Sequence, residues 1–206
     1  MTDKVSLLLR DHYAGGFSKH GCTSQGVDWG PHEDRALLRH QKTLEVIKST
    51  PCSLLDVGCG YGALLDVAKQ DGLDYTGIDI VAEMTAKGRE RHPQACFIDG
   101  DFLGHPMAEK AFDYVICNGI LTQKLTASIA DMDTFSKKII NKMFACARKG
   151  IAFNLMSTHV NFMADNLFYK SPLETYAWVT QNLSPFVRLD HTYMPFEYMV
   201  YVYRDV

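Results

Sequence analysis

Short apolar runs alternate with longer amphipathic segments over most of the chain. The runs that predict strands are residues 53–57, 75–80, 95–98, 112–118, 151–156, 186–189 and 196–203. The amphipathic segments predict helices at 4–13, 31–50, 63–69, 81–91 and 134–148. Strands this apolar are buried on both faces, as in a parallel sheet covered by helices. The pattern therefore predicts an α/β fold with a doubly wound, mostly parallel sheet of seven strands.

The end of the chain departs from this alternation. Only a few residues, Pro195 among them, separate the runs at 186–189 and 196–203. No crossover helix fits into so short a connection, and two strands joined so tightly must be antiparallel. We therefore expect the sheet to end in a C-terminal antiparallel hairpin that inserts one reversed strand.

The first 50 residues precede the alternating body. They contain two glycine-rich segments, residues 14–21 and 26–30, with aromatic residues among the glycines. Clustered glycines predict loops, so we expect a mobile lid here, followed by a helix that Pro31 opens. Residues 1–50 are accordingly predicted to be a helical extension and lid of the same domain, and residues 51–206 its core.

Composition narrows the class of protein. The 206 residues, 47% of them hydrophobic, suit one domain with a full core. Lys and Arg total 21 against 24 Asp and Glu, so no basic excess exists to hold nucleic acid. No segment approaches a membrane-spanning length, so we expect a cytoplasmic protein without a membrane partner. We expect it to be a monomer or a homodimer. The cysteines and histidines lack ligand spacing, so no metal is expected.

The chemistry centres on the loop that leaves the first predicted strand. Asp56 ends the apolar run, and Gly58, Gly60 and Gly62 follow at alternate positions. Glycines allow a tight turn there and let a nucleoside cofactor approach the main chain. An acid two residues before Gly58 suits the cationic S-adenosylmethionine better than a pyrophosphate. The looser G-x-G-x-x-A dinucleotide pattern, completed by Ala63, stays open on the loop alone.

Four features together resemble the class I S-adenosylmethionine-dependent methyltransferases of small molecules, over roughly residues 53–203. They are the Asp56 glycine loop, Asp79 at the end of the second strand, the Gly100-Asp101-Phe102 segment after the third, and the reversed strand of the terminal hairpin. The resemblance implies S-adenosylmethionine as cofactor. Dinucleotide dehydrogenases usually lack the last two features.

The resemblance also implies roles for particular residues. The loop residues Asp56, Gly58 and Gly60 would contact the cofactor, while Asn118 and Gly119 would contact its methionine part. Asp79 and Ile80 would bind its ribose, and Asp101 and Phe102 its adenine. Arg39 would pair with its carboxylate, and Trp29 would cover its open face. Simpler roles compete with these: Asp79 as a helix cap, Asp101 as a turn acid, Arg39 as a solvated side chain and Trp29 as a core anchor.

The methyl acceptor is less well defined, because an activated donor needs mainly alignment and, for a hydroxyl, a base. His20, His159 and Tyr13 are candidate catalytic residues, and Asn161 and Tyr169 candidate substrate contacts, each against an ordinary surface role. The remaining histidines, His12, His32, His40, His92, His105 and His191, are expected on surfaces, helices or turns.

The segment Asn118-Gly119-Ile120 lacks the N/D-P-P-Y/F signature of related enzymes that methylate nucleic-acid or amide nitrogens. The pattern of His20-Gly21, Gly26-Val27-x-Trp29 and Arg39 is similar to small bacterial methyltransferases of secondary-metabolite or surface-sugar pathways. Both observations favour a small polar acceptor with an oxygen or nitrogen nucleophile. Cyclisation or cleavage of S-adenosylmethionine, a nicotinamide dehydrogenase and a non-catalytic binding module remain alternatives.

Overall fold

The computed structural model describes residues 2–68 and 71–205. Two helices, α1 (Lys4–His20) and α2 (Glu33–Leu44), precede the sheet. The remaining elements are β1 (Cys52–Val57), β2 (Leu73–Asp79), α3 (Ala82–Arg91), β3 (Cys96–Asp99), β4 (Phe112–Cys117), α4 (Ile129–Cys146), β5 (Ala147–Ser157), β6 (Tyr169–Lys170), α5 (Pro172–Asn182), β7 (Phe186–Asp190) and β8 (Glu197–Tyr203). Within the described ranges, no helix is long and apolar enough to cross a bilayer.

The strands form a single sheet in the order β3-β2-β1-β4-β5-β8-β7, and the two-residue strand β6 pairs with β5. Strands β1 to β5 are parallel, whereas β8 runs antiparallel to both β5 and β7. The predicted fold class is therefore confirmed, including the reversed strand that the hairpin inserts. The short β6 is an addition to the seven expected strands.

The sheet has an apolar cluster on each face. One joins Val5 and Leu9 of α1 to the inner residues of β4, β5 and α4, so the first helix packs into the main core. The other lies under α2 and includes Leu54 and Tyr114. Because the strands around β1 are parallel, the carboxyl ends of β1, β2 and β4 meet at one edge. The predicted division at residue 51 stays a prediction.

The first glycine-rich segment is helical, contrary to the expected mobile loop. Helix α1 continues through Gly15 and Gly16 to His20. A Cβ on Gly16 would lie 3.3 Å from the carbonyl oxygen of Gly26, and one on Gly26 would lie 2.0 Å from that of Gly21. These glycines let the 3₁₀ turn Gln25–Val27 pack against α1, so close backbone packing, rather than mobility, accounts for them.

Two predicted helix bounds are also corrected. The segment 63–69 forms only a 3₁₀ turn, Ala63–Asp66, and Lys69 lies outside the described residues. Helix α4 begins at Ile129, five residues before the predicted start, because the hydroxyl of Ser128 caps it by accepting from the Asp131 amide at 3.0 Å.

A buried polar network ties the hairpin to α2 and to the end of β4. Arg39 Nε donates to Glu197 Oε2 at 2.8 Å, while Asn154 Nδ2 and the Tyr193 hydroxyl donate to Oε1 at 2.9 and 2.7 Å. Asn154 Oδ1 accepts from the Gly119 amide at 2.8 Å. We call these five residues the Glu197 network. Its acceptors are satisfied, as buried polar groups must be.

We expect Glu197→Ala to lower the free energy of unfolding by about 3–5 kcal/mol, because it leaves the Arg39 guanidinium inside the fold without its counterion. Glu45→Ala, which breaks the partly exposed pairs of Glu45 with Arg188 and Lys42, should change it by no more than about 1 kcal/mol. Urea titration of both variants measures the difference. Equal losses would contradict the structural importance of the network.

Candidate active site

A cavity of about 370 Å³ opens at the carboxyl ends of β1, β2 and β4. Helix α2 and the N-terminal turns form one wall, and the loop after β1 with the 3₁₀ turn Ala63–Asp66 forms the other. Seven of the predicted cofactor residues line it: Asp56, Gly58, Gly60, Asp79, Asn118, Gly119 and Trp29. Residues that are far apart in sequence therefore meet where the sheet topology predicted a site.

The glycine loop is built for close approach of main chain to ligand. Gly58 and Gly60 have φ values of 73° and 56°, in the left-handed region that favours glycine. A Cβ on Gly58 would lie 2.7 Å from Cγ2 of Ile120, so a side chain there would displace the wall of the cavity. The loop exposes backbone to the cavity where a larger residue would fill it.

Asp56 lies at the floor of the cavity with 4% of its surface exposed. Its Oδ2 accepts a hydrogen bond from the Tyr75 hydroxyl at 2.9 Å. Burial raises the pKa of Asp56 to about 7; the Tyr75 bond opposes this shift, and the neighbouring charge of Asp79 adds to it. A cation placed beside Asp56 would favour its ionised form.

Asp79 organises two pieces of backbone. Its Oδ2 accepts from the Gly60 amide and its Oδ1 from the Val81 amide, both at 2.8 Å. Burial raises the pKa of Asp79, whereas the amides of Val81, Gly60 and Ile80 counteract that rise. A carboxylate oxygen accepts more than one hydrogen bond, so Asp79 can hold the loop and also receive ligand hydroxyls.

A smaller cavity of about 60 Å³ adjoins the first and is lined by Ile80, Asp101 and Phe102. Asp101 Oδ1 accepts from the Ser6 hydroxyl at 3.1 Å and from the Leu103 amide at 3.2 Å. Its Oδ2 is buried and has no hydrogen-bond partner within the protein. A buried acceptor without a donor is costly, and a ligand amino group would satisfy it.

The opposite end of the larger cavity is formed by Asn118, Gly119 and Trp29. Asn118 Nδ2 donates to Thr43 Oγ1 at 2.8 Å, while its Oδ1 is buried and unpartnered. Trp29 lies over Gly119 so closely that a Cβ there would be 2.8 Å from the indole nitrogen. Trp29 therefore covers the end of β4 and lines the cavity at the same time.

Arg39 lies beside the cavity and does not line it. Its Nε pairs with Glu197, and its guanidinium carbon lies 5.3 Å from the centre of the Trp29 ring. Nη1 is buried without a partner. The structure thus shows Arg39 supporting Trp29 and the Glu197 network; its contact with a cofactor carboxylate stays a prediction.

Four of the five residues predicted for catalysis or substrate binding lie away from both cavities. His20 is exposed at the end of α1, and His159 and Asn161 are exposed in the segment after β5. The Tyr169 hydroxyl accepts from the Ala164 amide at 3.1 Å. Hydrogen bonds such as Phe168 N to Thr122 O hold the end of this segment against the loop that follows β4. Of the five residues, only Tyr13 lines a cavity, and it lines both.

His40, expected at the surface, instead forms part of the cavity wall. Its ring centre lies 5.0 Å from that of Trp29, and its Nδ1 is buried without a hydrogen-bond partner. Burial lowers the pKa of His40 to about 4; Asp66 opposes this shift and Arg39 adds to it. The signal in the sequence was the spacing from Ala36, which places both residues on one face of α2.

The comparisons with known proteins agree with this site. A family model described as a methyltransferase domain matches residues 54–139. The Mycobacterium tuberculosis protein Rv1506c, named provisionally as a methyltransferase, is 30% identical over 156 residues, which are 74% of this chain and 93% of that protein. The shared region thus extends well beyond the glycine loop.

Solved structures share the fold. Magnesium protoporphyrin IX methyltransferase of Synechocystis, crystallised with S-adenosylhomocysteine, has a TM-score of 0.70 at 15% identity, covering 97% of this chain and 99% of its own. A phosphoethanolamine N-methyltransferase of Haemonchus contortus has a TM-score of 0.63 at 14% identity, covering 98% of this chain and 50% of its own.

The fold and the site define a Rossmann-like enzyme of the class I S-adenosylmethionine-dependent type, as the sequence predicted. The chain belongs to the methyltransferase family. The dehydrogenase interpretation of the glycine loop is thereby set aside.

We expect the pKa of Asp56 to appear in stability measurements. A carboxyl group whose pKa rises from 3.8 unfolded to about 7 folded stabilises the protein fully below pH 4 and loses that contribution as the pH rises to 7. Asp56→Asn should therefore gain stability relative to the parent over this interval, by up to about 4 kcal/mol. Melting temperatures from pH 4 to 8 measure the difference, with exposed Asp165→Asn as control. A constant difference between Asp56→Asn and the parent would refute the shift.

Proposed function

We propose that this enzyme transfers a methyl group from S-adenosylmethionine to an oxygen or nitrogen atom of a small polar molecule. The observation that carries the cofactor assignment is the unpartnered Asp101 Oδ2 in a cavity continuous with the glycine loop and with two buried carboxyl groups. The unpartnered oxygen of Asp101 complements an amino group. The two buried carboxyl groups beside the glycine loop complement a pair of ribose hydroxyls and a positive charge.

The residues present fit the cofactor. Asp101 Oδ2 would accept from the adenine amino group while Phe102 packs on the ring, and Asp79 would accept from the ribose hydroxyls beside Ile80. Asp56 would lie near the positively charged methionine part, with Gly58 and Gly60 giving it room. When bound, S-adenosylmethionine supplies a methyl group already activated for transfer.

The protein's own contribution is then mainly positional. Trp29 closes the cavity over Gly119 and excludes water from the reacting atoms, and Asn118 offers a free amide oxygen at the same place. Tyr13 lines both cavities, and burial with the nearby charges of Asp28 and Asp79 raises its pKa, which keeps it protonated as a hydrogen-bond donor. Neither cavity is lined by His20, His159, Asn161 or Tyr169, so their roles toward an acceptor stay a prediction.

The setting of this reaction is proposed on the same basis. The absence of a basic excess disfavours nucleic acid as acceptor, and the N-terminal pattern favours secondary-metabolite or surface-sugar metabolism. Phosphoethanolamine in the Haemonchus relative is an example of a small acceptor for this fold. We propose a cytoplasmic monomer or homodimer.

The first test is a calorimetric titration of the purified chain with S-adenosylmethionine, S-adenosylhomocysteine and NAD. We expect the first two to bind and NAD to give no heat, because the buried carboxyl groups oppose a pyrophosphate. Formation of S-adenosylhomocysteine on turnover would support methyl transfer, whereas methylthioadenosine would indicate internal cleavage. Binding of NAD alone would overturn the proposal.

Asp101→Ala should weaken S-adenosylmethionine binding by about 1.5–3 kcal/mol, the usual effect of removing a charged hydrogen-bond acceptor. The matched control is Asp99→Ala, two residues earlier, because Asp99 bonds to Thr85 and Arg89 and lines neither cavity. The same titration measures both variants. Unchanged affinity in a folded Asp101→Ala protein would refute the hydrogen bond between Asp101 and the adenine amino group.

A further inference from the structure

The larger cavity extends beyond the residues assigned to the cofactor. Past the glycine loop it continues between α2 and the 3₁₀ turn Ala63–Asp66, where its walls are largely apolar or aromatic: Ala36, Leu37, Tyr61, Leu64 and Val67. Because residues 63–66 form only a 3₁₀ turn, space remains where the sequence predicted a packed helix. We call this part the acceptor compartment. It adjoins Trp29, which also covers Gly119.

Two of the acids at the edge of the acceptor compartment, Glu33 and Asp34, have no ion-pair partner among the described residues. Glu33, Asp34 and Asp66 lie at its edge, and none of the described residues that line the cavity is a lysine or arginine. Asp66 is compensated by Arg91, whose guanidinium carbon also lies 5.5 Å from the centre of the Tyr61 ring, and Arg39 pairs through Nε with Glu197 outside the cavity wall. An acceptor with a phosphate or carboxylate group would therefore meet the charges of Glu33 and Asp34 and no lysine or arginine among the described residues that line the cavity.

His40 supplies the compartment with a free polar atom. It is the one histidine among the described residues that line the cavity, and its Nδ1 has no partner. The low pKa of His40 keeps the imidazole neutral at physiological pH, and in the tautomer with its proton on Nε2 the Nδ1 atom accepts a hydrogen bond. Trp29 spans the gap between His40, 5.0 Å from its ring centre, and Gly119.

We propose that the acceptor is an aromatic molecule with a hydroxyl or amine nucleophile and no phosphate or carboxylate, and that His40 accepts a hydrogen bond from that nucleophile. This inference rests on the proposed function and specifies its substrate class. The flat Trp29 and Tyr61 rings match an aromatic body, which the apolar walls remove from water.

The roles follow from this placement. The acceptor's lone pair forms a bond to the methyl carbon while the carbon–sulfur bond breaks and its electron pair stays on sulfur. The proton that the methylated oxygen releases passes to His40 and from there to solvent. For a hydroxyl nucleophile a weakly basic imidazole suffices, because the methylated oxygen is strongly acidic; a methylated amine keeps its proton as an ammonium ion until it reaches solvent.

The preferred charge of the acceptor is tested with three phenols of similar shape. They are the cationic tyramine, the neutral 4-ethylphenol and the anionic 4-hydroxyphenylacetate. Each is titrated into the chain saturated with S-adenosylhomocysteine. We expect the first two to bind at least about tenfold more tightly than the third. Equal or tighter binding of the anion, or no binding of the cationic and neutral phenols, would overturn the proposal. Failure of S-adenosylhomocysteine itself to bind would instead overturn the proposed function.

Asp34→Lys tests the origin of the preference, since Asp34 is exposed at the cavity edge and its replacement should leave the fold intact. The ratio of tyramine to 4-hydroxyphenylacetate affinity should fall at least about fivefold. Glu109→Lys makes the same change in net charge at an exposed site that lines none of the cavities and should leave the ratio unchanged. Equal effects of the two variants would assign the preference to net charge and refute the compartment.

His40 is tested with two variants. His40→Gln retains a hydrogen-bond acceptor and should keep 4-ethylphenol binding within about threefold of the parent, whereas His40→Leu should weaken it about tenfold. Both variants should bind S-adenosylhomocysteine as the parent does, which separates loss of the contact from misfolding. Parent-like 4-ethylphenol binding by His40→Leu would exclude the proposed hydrogen bond.

Discussion

The ion pair between Arg39 and Glu197 is the constraint on which the site depends. Burying two charges costs several kcal/mol per ion, and such a pair persists only where further hydrogen bonds complete it. Asn154 and Tyr193 supply those bonds to Glu197. The reversed strand β8 begins at Glu197, so the pair fixes the C-terminal hairpin against α2, an element contributed by the other end of the chain.

The same network determines the shape of the cavity. Asn154 accepts a hydrogen bond from the Gly119 amide, which fixes the position of the backbone at the end of β4. Arg39 lies against the Trp29 ring that covers Gly119. The cavity end and its cover are thus held through a single buried carboxylate. Preorganisation of this kind suits a reaction in which the protein contributes mainly position.

Local sequence rules predicted which residues meet at the cavities, while their contacts with a cofactor stay a prediction. The glycine loop, Asp79 and Asp101 follow strands directly, and parallel strands bring such residues to one edge whatever the rest of the chain does. The acceptor side depends on how α2 packs and how far the 63–69 segment folds, which no local rule gives. Arg39 was thus left between two roles, and His40 was wrongly expected at the surface. The glycines of α1 were mistaken for a mobile loop because their contacts are with a turn outside the helix.

The distribution of charge unites the two halves of the cavity. Asp56 and Asp79 are buried where the positively charged cofactor of the proposed function would compensate them, and Glu33 and Asp34 lie at the edge where the proposed acceptor would enter. Because none of the described residues that line the cavity is a lysine or arginine, its field favours cations over anions. Transfer of a methyl group from a sulfonium removes a positive charge from the cofactor. The buried carboxyl groups then lose their compensation, so the field that favours the charged donor disfavours the neutral thioether and promotes its release.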